Sequence, residues 1–196
     1  SPEQRAKLIS TYNWNAKNIS VISARLDISQ FQASDEANSE ILCEEYGIRP
    51  RDNNIFIITN FLGPKVEAIK HILSTAKRIV CEFPTVRFIF VGARGPFFEE
   101  AKSLGQTIND KCERSAVVFT GAVMNAHRLL RCAYIVLGVG RSAFEGMAYR
   151  KPTLIVGERG YAGTVCKDNI DELSYFNFSG RNNNRSVSYE RLSDEL

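Results

Sequence analysis

The chain has 196 residues, 44% hydrophobic and 24% charged, the make-up of a globular chain that can bury a core of its own. Its 25 basic and 22 acidic residues leave a formal charge of +3, without the clustered excess that points to nucleic acid or to bulk membrane attachment. No apolar run approaches the roughly 18 residues that cross a bilayer, so no transmembrane segment is expected.

Taken in chain order, residues 2–12 read as a short helix. Strands are expected at residues 19–23, 55–60, 86–92, 116–120, 134–137 and 153–156. Each is short, rich in β-branched residues and apolar nearly throughout, as in a parallel sheet covered on both faces. Between the second and third strands, Val66, Ile69, Leu73, Ala76 and Val80 recur at helical spacing and mark one buried face. Ala101, Leu104, Ile108 and Cys112 do the same before the fourth. Strands alternating with helices imply right-handed crossovers and an α/β, Rossmann-like, doubly wound parallel sheet of about six strands. After the last strand comes Glu158-Arg159-Gly160-Tyr161-Ala162-Gly163, read as a loop on the ligand rim. Residues 180–185 form a polar loop, and Val187, Leu192 and Leu196 open a helical pattern that stops short. Both ends look cut, and the chain is expected to be part of a larger protein. The expected division is residues 1–18 as a remnant of an inter-domain segment, 19–185 as the domain, and 186–196 as the start of a truncated helix.

Cys43, Cys81, Cys112, Cys132 and Cys166 are odd in number, scattered and never spaced as CxxC. Neither a disulfide framework nor a zinc site is expected, and a reducing compartment fits better. The Asn-x-Ser triplets at Asn18, Asn177 and Asn184 would weigh only in a secreted protein.

In a doubly wound sheet, ligands sit beyond the carboxyl ends of the strands. That rule places residues 60–65, 92–96, 121–125 and 138–142 on one rim, all rich in glycine or polar side chains. The most telling stretch is Tyr134-Ile135-Val136-Leu137, then Gly138-Val139-Gly140-Arg141-Ser142, then Ala143-Phe144-Glu145-Gly146-Met147-Ala148. Two glycines let the backbone turn sharply off the strand. The following helix opens with unpaired N–H groups and the positive end of its dipole, an anion seat. Arg141 beside it is a planar donor suited to phosphate oxygens. The turn follows the fifth strand rather than the first, against a nicotinamide-binding reading.

The whole chain resembles the carboxy-terminal half of the group 1 retaining glycosyltransferases, whose two-domain architecture is the GT-B fold. Residues 19–31 look like the segment joining the two halves. Thr59-Asn60-Phe61-Leu62-Gly63-Pro64-Lys65 is similar to the family's strand-end loop with an Arg and a Lys. Phe88-Ile89-Phe90-Val91-Gly92 and Val118-Phe119-Thr120-Gly121 match its next two strand ends. Phe144-Glu145-Gly146-Met147-Ala148-Tyr149-Arg150-Lys151-Pro152 resembles its most specific helix, usually Glu-Ala-Met-Ala followed by Gly-x-Pro. The resemblance implies a domain that binds a nucleoside diphosphate sugar, UDP-linked rather than GDP-linked, with no other cofactor and no metal. A hexose would pass with anomeric retention to a glycan or lipid-linked acceptor held by an amino-terminal domain. It implies diphosphate contacts from Asn60, Lys65, Gly140, Arg141, Ser142 and Ala143, a ribose contact from Glu145, and a base pocket at Gly121 and Val123. It assigns no catalytic residue within this stretch, and implies cytoplasmic residence, peripheral at the inner membrane face in the full-length protein.

Three positions depart from the family pattern. Leu137 stands where a first glutamate is common, eight residues before Glu145, and Asn60 replaces the lysine's arginine partner. Arg150 occupies a helix-ending position usually held by glycine. Arg141 would replace the missing guanidinium. A nucleotide-sugar epimerase of related fold and a non-catalytic nucleotide- or glycan-binding module stand as alternatives. Individual residues also have plainer readings. Ser142 and Glu145 fit the S-x-x-E capping box. Arg141 and Lys65 fit solvated surface positions. His71 and His127 are isolated in sequence, His127 lacking an acid or thiol partner. Asn177-Phe178-Ser179-Gly180-Arg181 is distinctive but suggests no chemistry.

Overall fold

The computed structural model describes residues 1–22, 25–32, 36–92, 95–157, 160–183, 185 and 187–195. Six strands, β1 (Asn53–Ile58), β2 (Val86–Val91), β3 (Val117–Gly121), β4 (Ile135–Gly138), β5 (Thr153–Gly157) and β6 (Gly160–Thr164), form one sheet in the order β3-β2-β1-β4-β5-β6. The helices are α1 (Pro2–Tyr12), α2 (Ser29–Gln32), α3 (Glu36–Glu45), α4 (Lys65–Glu82), α5 (Phe98–Cys112), α6 (Arg141–Ala148), α7 (Ile170–Tyr175) and α8 (Tyr189–Ser193), with a 3₁₀ segment at Ala126–Cys132. The first five strands are parallel, in register Ile55 to Phe88 and Ile55 to Ile135 across β1. Strand order reverses between β1 and β4, and that switch point is where a doubly wound sheet opens a crevice.

Alternate residues of each strand feed opposite faces, the period-two rule of a pleated strand. Ile55 and Ile57, Phe88 and Phe90, and Ile135 and Leu137 meet the apolar faces of α4 and α5 on one side. Phe56, Ile89 and Val136 meet Cys43, Ile48, Leu129 and Leu130 on the other. In α4, Ile69, Leu73, Ala76 and Val80 are buried as their spacing predicts. In α5 the expected face is shifted. Leu104 is 42% exposed, while its neighbour Gly105 faces the sheet, where a Cβ would come within 2.5 Å of the Phe119 ring. The helix lies too close to β3 for a leucine there.

Two strand expectations need correction. The predicted strand at residues 19–23 does not form over its described part: residues 19–22 are irregular, with Val21 and Ile22 exposed, and Ser23 lies outside the described residues. The Arg5 guanidinium instead takes the carbonyls of Ile19 and Ala16, at 2.9 and 2.8 Å. β-Branched residues favour a strand only where a neighbouring strand covers them. The sixth strand is Gly160–Thr164, part of the segment read as a loop, with Tyr161 buried. It runs antiparallel to β5, because a two-residue connection can reverse a chain but cannot carry it back to the start of a parallel strand. Glu158 and Arg159, which make that connection, lie outside the described residues, as do Ala93 and Arg94 of the second rim segment.

At the ends, α1 buries no residue and is tied to the later loop by an Arg181–Glu3 ion pair at 2.9 Å. The expected terminal helix appears as α8, seated through Val187 and Leu192 in the core under α4. Asn184, Ser186 and Leu196 lie outside the described residues.

Candidate functional site

Two turns flank the switch point. From β1, Thr59 and Asn60 lead to Phe61, whose fully buried ring packs edge-on against Phe98 at 5.0 Å. That anchor fixes the loop, which Pro64 then ends at the N-terminus of α4, so Lys65 is the first helical residue. From β4, Val139 and Gly140 alone make the connection to α6. Gly140 has φ 53° and ψ −118°, a region essentially reserved to glycine. The Ser142 hydroxyl locks the turn: it accepts from Val139 N–H at 3.1 Å and donates to Val139 C=O at 3.0 Å.

This bonding decides which expected anion contacts are available. Gly140 N–H already donates to Phe178 C=O at 2.9 Å, so its amide holds the turn together instead of facing a ligand. The first bond of α6 runs from Phe144 N–H to Gly140 C=O at 3.1 Å. The amides of Arg141, Ser142 and Ala143 therefore lie ahead of the ladder with no carbonyl one turn back to receive them, at the positive end of the helix dipole.

Ser142 and Glu145 do not make a capping box. The helix cap is Gly140, and Glu145 reaches sideways to the Arg141 Nε at 2.8 Å. The Glu145 side chain is 9% exposed and that of Arg141 78%. The carboxylate holds the guanidinium at the mouth while its second oxygen remains able to accept a hydrogen bond. Gly146 lets α6 lie flat on the sheet, since a Cβ there would come within 2.7 Å of Thr153 Oγ1 and 3.0 Å of Val136. The helix ends with Arg150 at φ 57°, with Arg150 N–H on Met147 C=O and Lys151 N–H on Gly146 C=O. That is the Schellman ending, achieved without glycine.

A cavity of about 610 Å³ opens between the two turns, and Asn60, Lys65, Arg141, Ser142 and Glu145 line it together. Ile58, Thr59 and Val139 form its floor, and Gln30, Asn125, Ala126 and His127 complete it. The Oδ1 atom of Asn60 is buried with no hydrogen-bond partner among the described residues. Gly121 and Val123 stand back from the cavity: Gly121 C=O accepts from Gly92 N–H at 2.9 Å, and Val123 packs on the second core cluster. Their loop reaches the cavity through Asn125 to His127 instead. Leu137 is 1% exposed in the core, so that position offers nothing to a ligand.

His127, set aside in the sequence for want of an acid or thiol partner, lines the cavity. Its ring lies 5.2 Å from Phe31 and 6.5 Å from Tyr149, and Phe31 meets Tyr149 edge-on at 4.9 Å. This trio pins α2, and with it Gln30, against the cavity wall. Burial holds the His127 pKa below the ordinary imidazole value; Glu145 pulls it up, and Arg128 and Arg141 push it down. Its acidic neighbour is 18 positions away in sequence, so only the fold brings them together. His71 lies in α4, away from the cavity.

Chemically, the arrangement offers two cations, three amides and a helix dipole to an anion, beside a carboxylate and an aromatic-walled recess. Among the described residues, no group of three or more His, Cys, Asp or Glu side chains is placed to hold a metal, and no helix is long and apolar enough to cross a membrane.

No protein-family model matches the sequence, and no curated protein matches it. Solved structures do. The chain superposes on Anabaena HepE in complex with UDP with a TM-score of 0.60 at 18% identity, covering 78% of this chain and 42% of HepE. A glycosyltransferase from Rickettsia africae gives 0.60 at 18% identity, covering 76% and 41%. WaaG, a glycosyltransferase of lipopolysaccharide biosynthesis, gives 0.59 at 16% identity, covering 77% and 41%. The chain has the fold of one half of a GT-B glycosyltransferase. It spans about two fifths of the length of the structures it matches.

Proposed function

We propose that this chain is the carboxy-terminal, donor-binding domain of a retaining glycosyltransferase. The observation that carries the reading is the cavity at the strand-order reversal, where Lys65, Arg141 and the first amides of α6 converge beside Glu145. A nucleoside diphosphate fits that chemistry. Its phosphates would lie against Lys65, Arg141 and the amides of Ser142 and Ala143, its ribose hydroxyls would donate to Glu145, and its base would enter toward Asn125 and His127. Holding the departing diphosphate is how such a domain lowers the barrier, since negative charge grows there as the glycosidic bond breaks. The acceptor would be a glycan or lipid-linked sugar positioned by a second domain, with the whole protein cytoplasmic and peripheral at the inner membrane face. UDP is favoured as the nucleotide because HepE is solved with UDP and with UDP-glucose.

A second reading, a nucleotide-binding module without transfer activity, draws on one specific observation. Leu137 is buried where the family commonly carries a carboxylate, and Asn60 stands in place of an arginine, so the contacts to the sugar itself are thinner than to the diphosphate. Two measurements separate the readings. Titration with UDP, GDP and ADP should give saturable binding of UDP, weakened about tenfold by Glu145→Ala and less by Lys65→Ala, consistent with the loss of a charge-assisted hydrogen bond. A longer protein carrying both domains should then release UDP from a UDP-sugar in the presence of acceptor. Binding without release identifies the module, and absence of binding by all three diphosphates removes both.

A further inference from the structure

The far edge of the fold, away from the cavity, carries a second chemistry. Cys81 lies in the last turn of α4 and Cys112 is the final residue of α5, and their Sγ atoms are 3.3 Å apart. Cys81 is exposed and Cys112 half-buried. The two helix ends are held together independently of the thiols. The Arg114 guanidinium, just beyond α5, donates to Val80 C=O at 2.8 Å and to Val86 C=O at 3.1 Å. Closing the gap to the disulfide bond length of about 2.05 Å needs a sulfur displacement of about an ångström, within the reach of side-chain rotation.

We infer that Cys81 and Cys112 form a reversible dithiol–disulfide site that is oxidised by small-molecule disulfides of the glutathione class. Exposed Cys81 is the entry point. Its thiolate, having given its proton to water, attacks one sulfur of the oxidant, whose S–S bond breaks and expels one thiolate. Cys112, likewise deprotonated, attacks the Cys81 sulfur of the mixed disulfide, expels the second thiolate and closes the Cys81–Cys112 bond. The two protons end on the two released thiols, and two electrons pass from the cysteine pair to the oxidant. Burial, followed by the Cys81 neighbour, raises the Cys112 pKa, while Arg114 and Lys111 lower it. That order suits a resolving thiol that acts second.

The other cysteines provide internal controls. Cys166 is exposed and has no thiol beside it among the described residues, so it stops at the mixed disulfide. Cys43 and Cys132 are 0% and 8% exposed, beyond the reach of a tripeptide oxidant. The site stands independently of the nucleotide reading. Along α4, whose 18 residues extend about 27 Å, it lies at the opposite end from Lys65.

The test is peptide mapping of the reduced full chain after incubation with oxidised glutathione, alkylation and tryptic digestion. The expected product joins residues 79–87 to residues 112–114 through a disulfide, with glutathione retained on Cys166. Under the same treatment Cys112→Ser should trap glutathione on Cys81. Oxidation should raise the melting temperature of the parent chain by about 5 °C or more, and leave Cys81→Ser unchanged. Glutathione retained on Cys81 of the parent chain while Cys112 is alkylated would overturn the inference. So would Cys81 linked to any other cysteine, or both thiols unreactive.

Discussion

The two turns that meet at the switch point solve the same task by different means. The β1 turn is six residues long and is held by a side chain, the buried ring of Phe61, with Asn60 inside the turn and Lys65 opening α4 just after it. The β4 turn is two residues long and is held by Ser142 and by the Phe178 carbonyl, with Gly140 in a conformation no other residue adopts cheaply. One presents a movable cation; the other presents amides in fixed positions. The difference teaches where mutation should hurt. In the β4 turn the cost falls on backbone conformation; in the β1 turn it falls on the buried Phe61 ring, leaving Asn60 and Lys65 for the proposed binding.

The sharpest way to break the comparison is Gly140→Ala. A Cβ there has room, its nearest neighbour being Asn177 Nδ2 at 3.6 Å, so the cost is backbone strain alone, about 1–3 kcal/mol of unfolding free energy by denaturant titration. Next is the other end of the same helix. Arg150 holds φ 57°, and Arg150→Gly should stabilise the chain by about 1 kcal/mol in the same measurement. On the β1 side, Asn60→Ala removes a buried oxygen that has no partner among the described residues. Stability should therefore stay within about 0.5 kcal/mol of the parent or rise, while UDP binding weakens. A loss of 2 kcal/mol or more there would erase the distinction between the turns.

The smallest effect concerns His127, on the wall between them. Its folded pKa is depressed, by burial first and by Arg128 and Arg141 after it, against Glu145. The neutral ring therefore contributes stability in full above the ordinary value of 6.5. That contribution is lost as pH falls through the lower folded value. Unfolding curves below pH 6.5 should decline more steeply for the parent chain than for His127→Gln, with the two slopes equal at pH 8.

Much of this was legible in the sequence because local pattern and tertiary context agree. The apolar runs of β1 and β2 and the helical spacing of α4 needed no partner to be read, and Gly138-Val139-Gly140 announced its turn. Where they diverge, the sequence misled. Residues 19–22 have strand-like side chains but pair with no strand among the described residues, whereas Gly160–Thr164 has two glycines and pairs antiparallel with β5. Leu104 kept the period of α5 but lost its place to Gly105, since the closeness of β3 decides which residue fits. Of the candidate site, Lys65, Arg141, Ser142 and Glu145 were readable from turn chemistry and family resemblance. The bond of the Gly140 amide to Phe178 C=O was not legible, because that acceptor lies far along the chain. His127 was set aside because its neighbours lie far from it in sequence, Phe31 on α2 and Glu145 and Tyr149 at the two ends of one turn of α6.

The most direct test of the central claim is titration of the ¹⁵N-labelled chain with UDP, followed by amide NMR. If the two turns form one site, the signals of Lys65 and of Arg141, Ser142 and Ala143 should shift together with a single saturation curve, while those of Cys81 and Cys112 at the far edge stay still. Shifts confined to one turn, two different saturation curves, or no saturable change at millimolar UDP would contradict it.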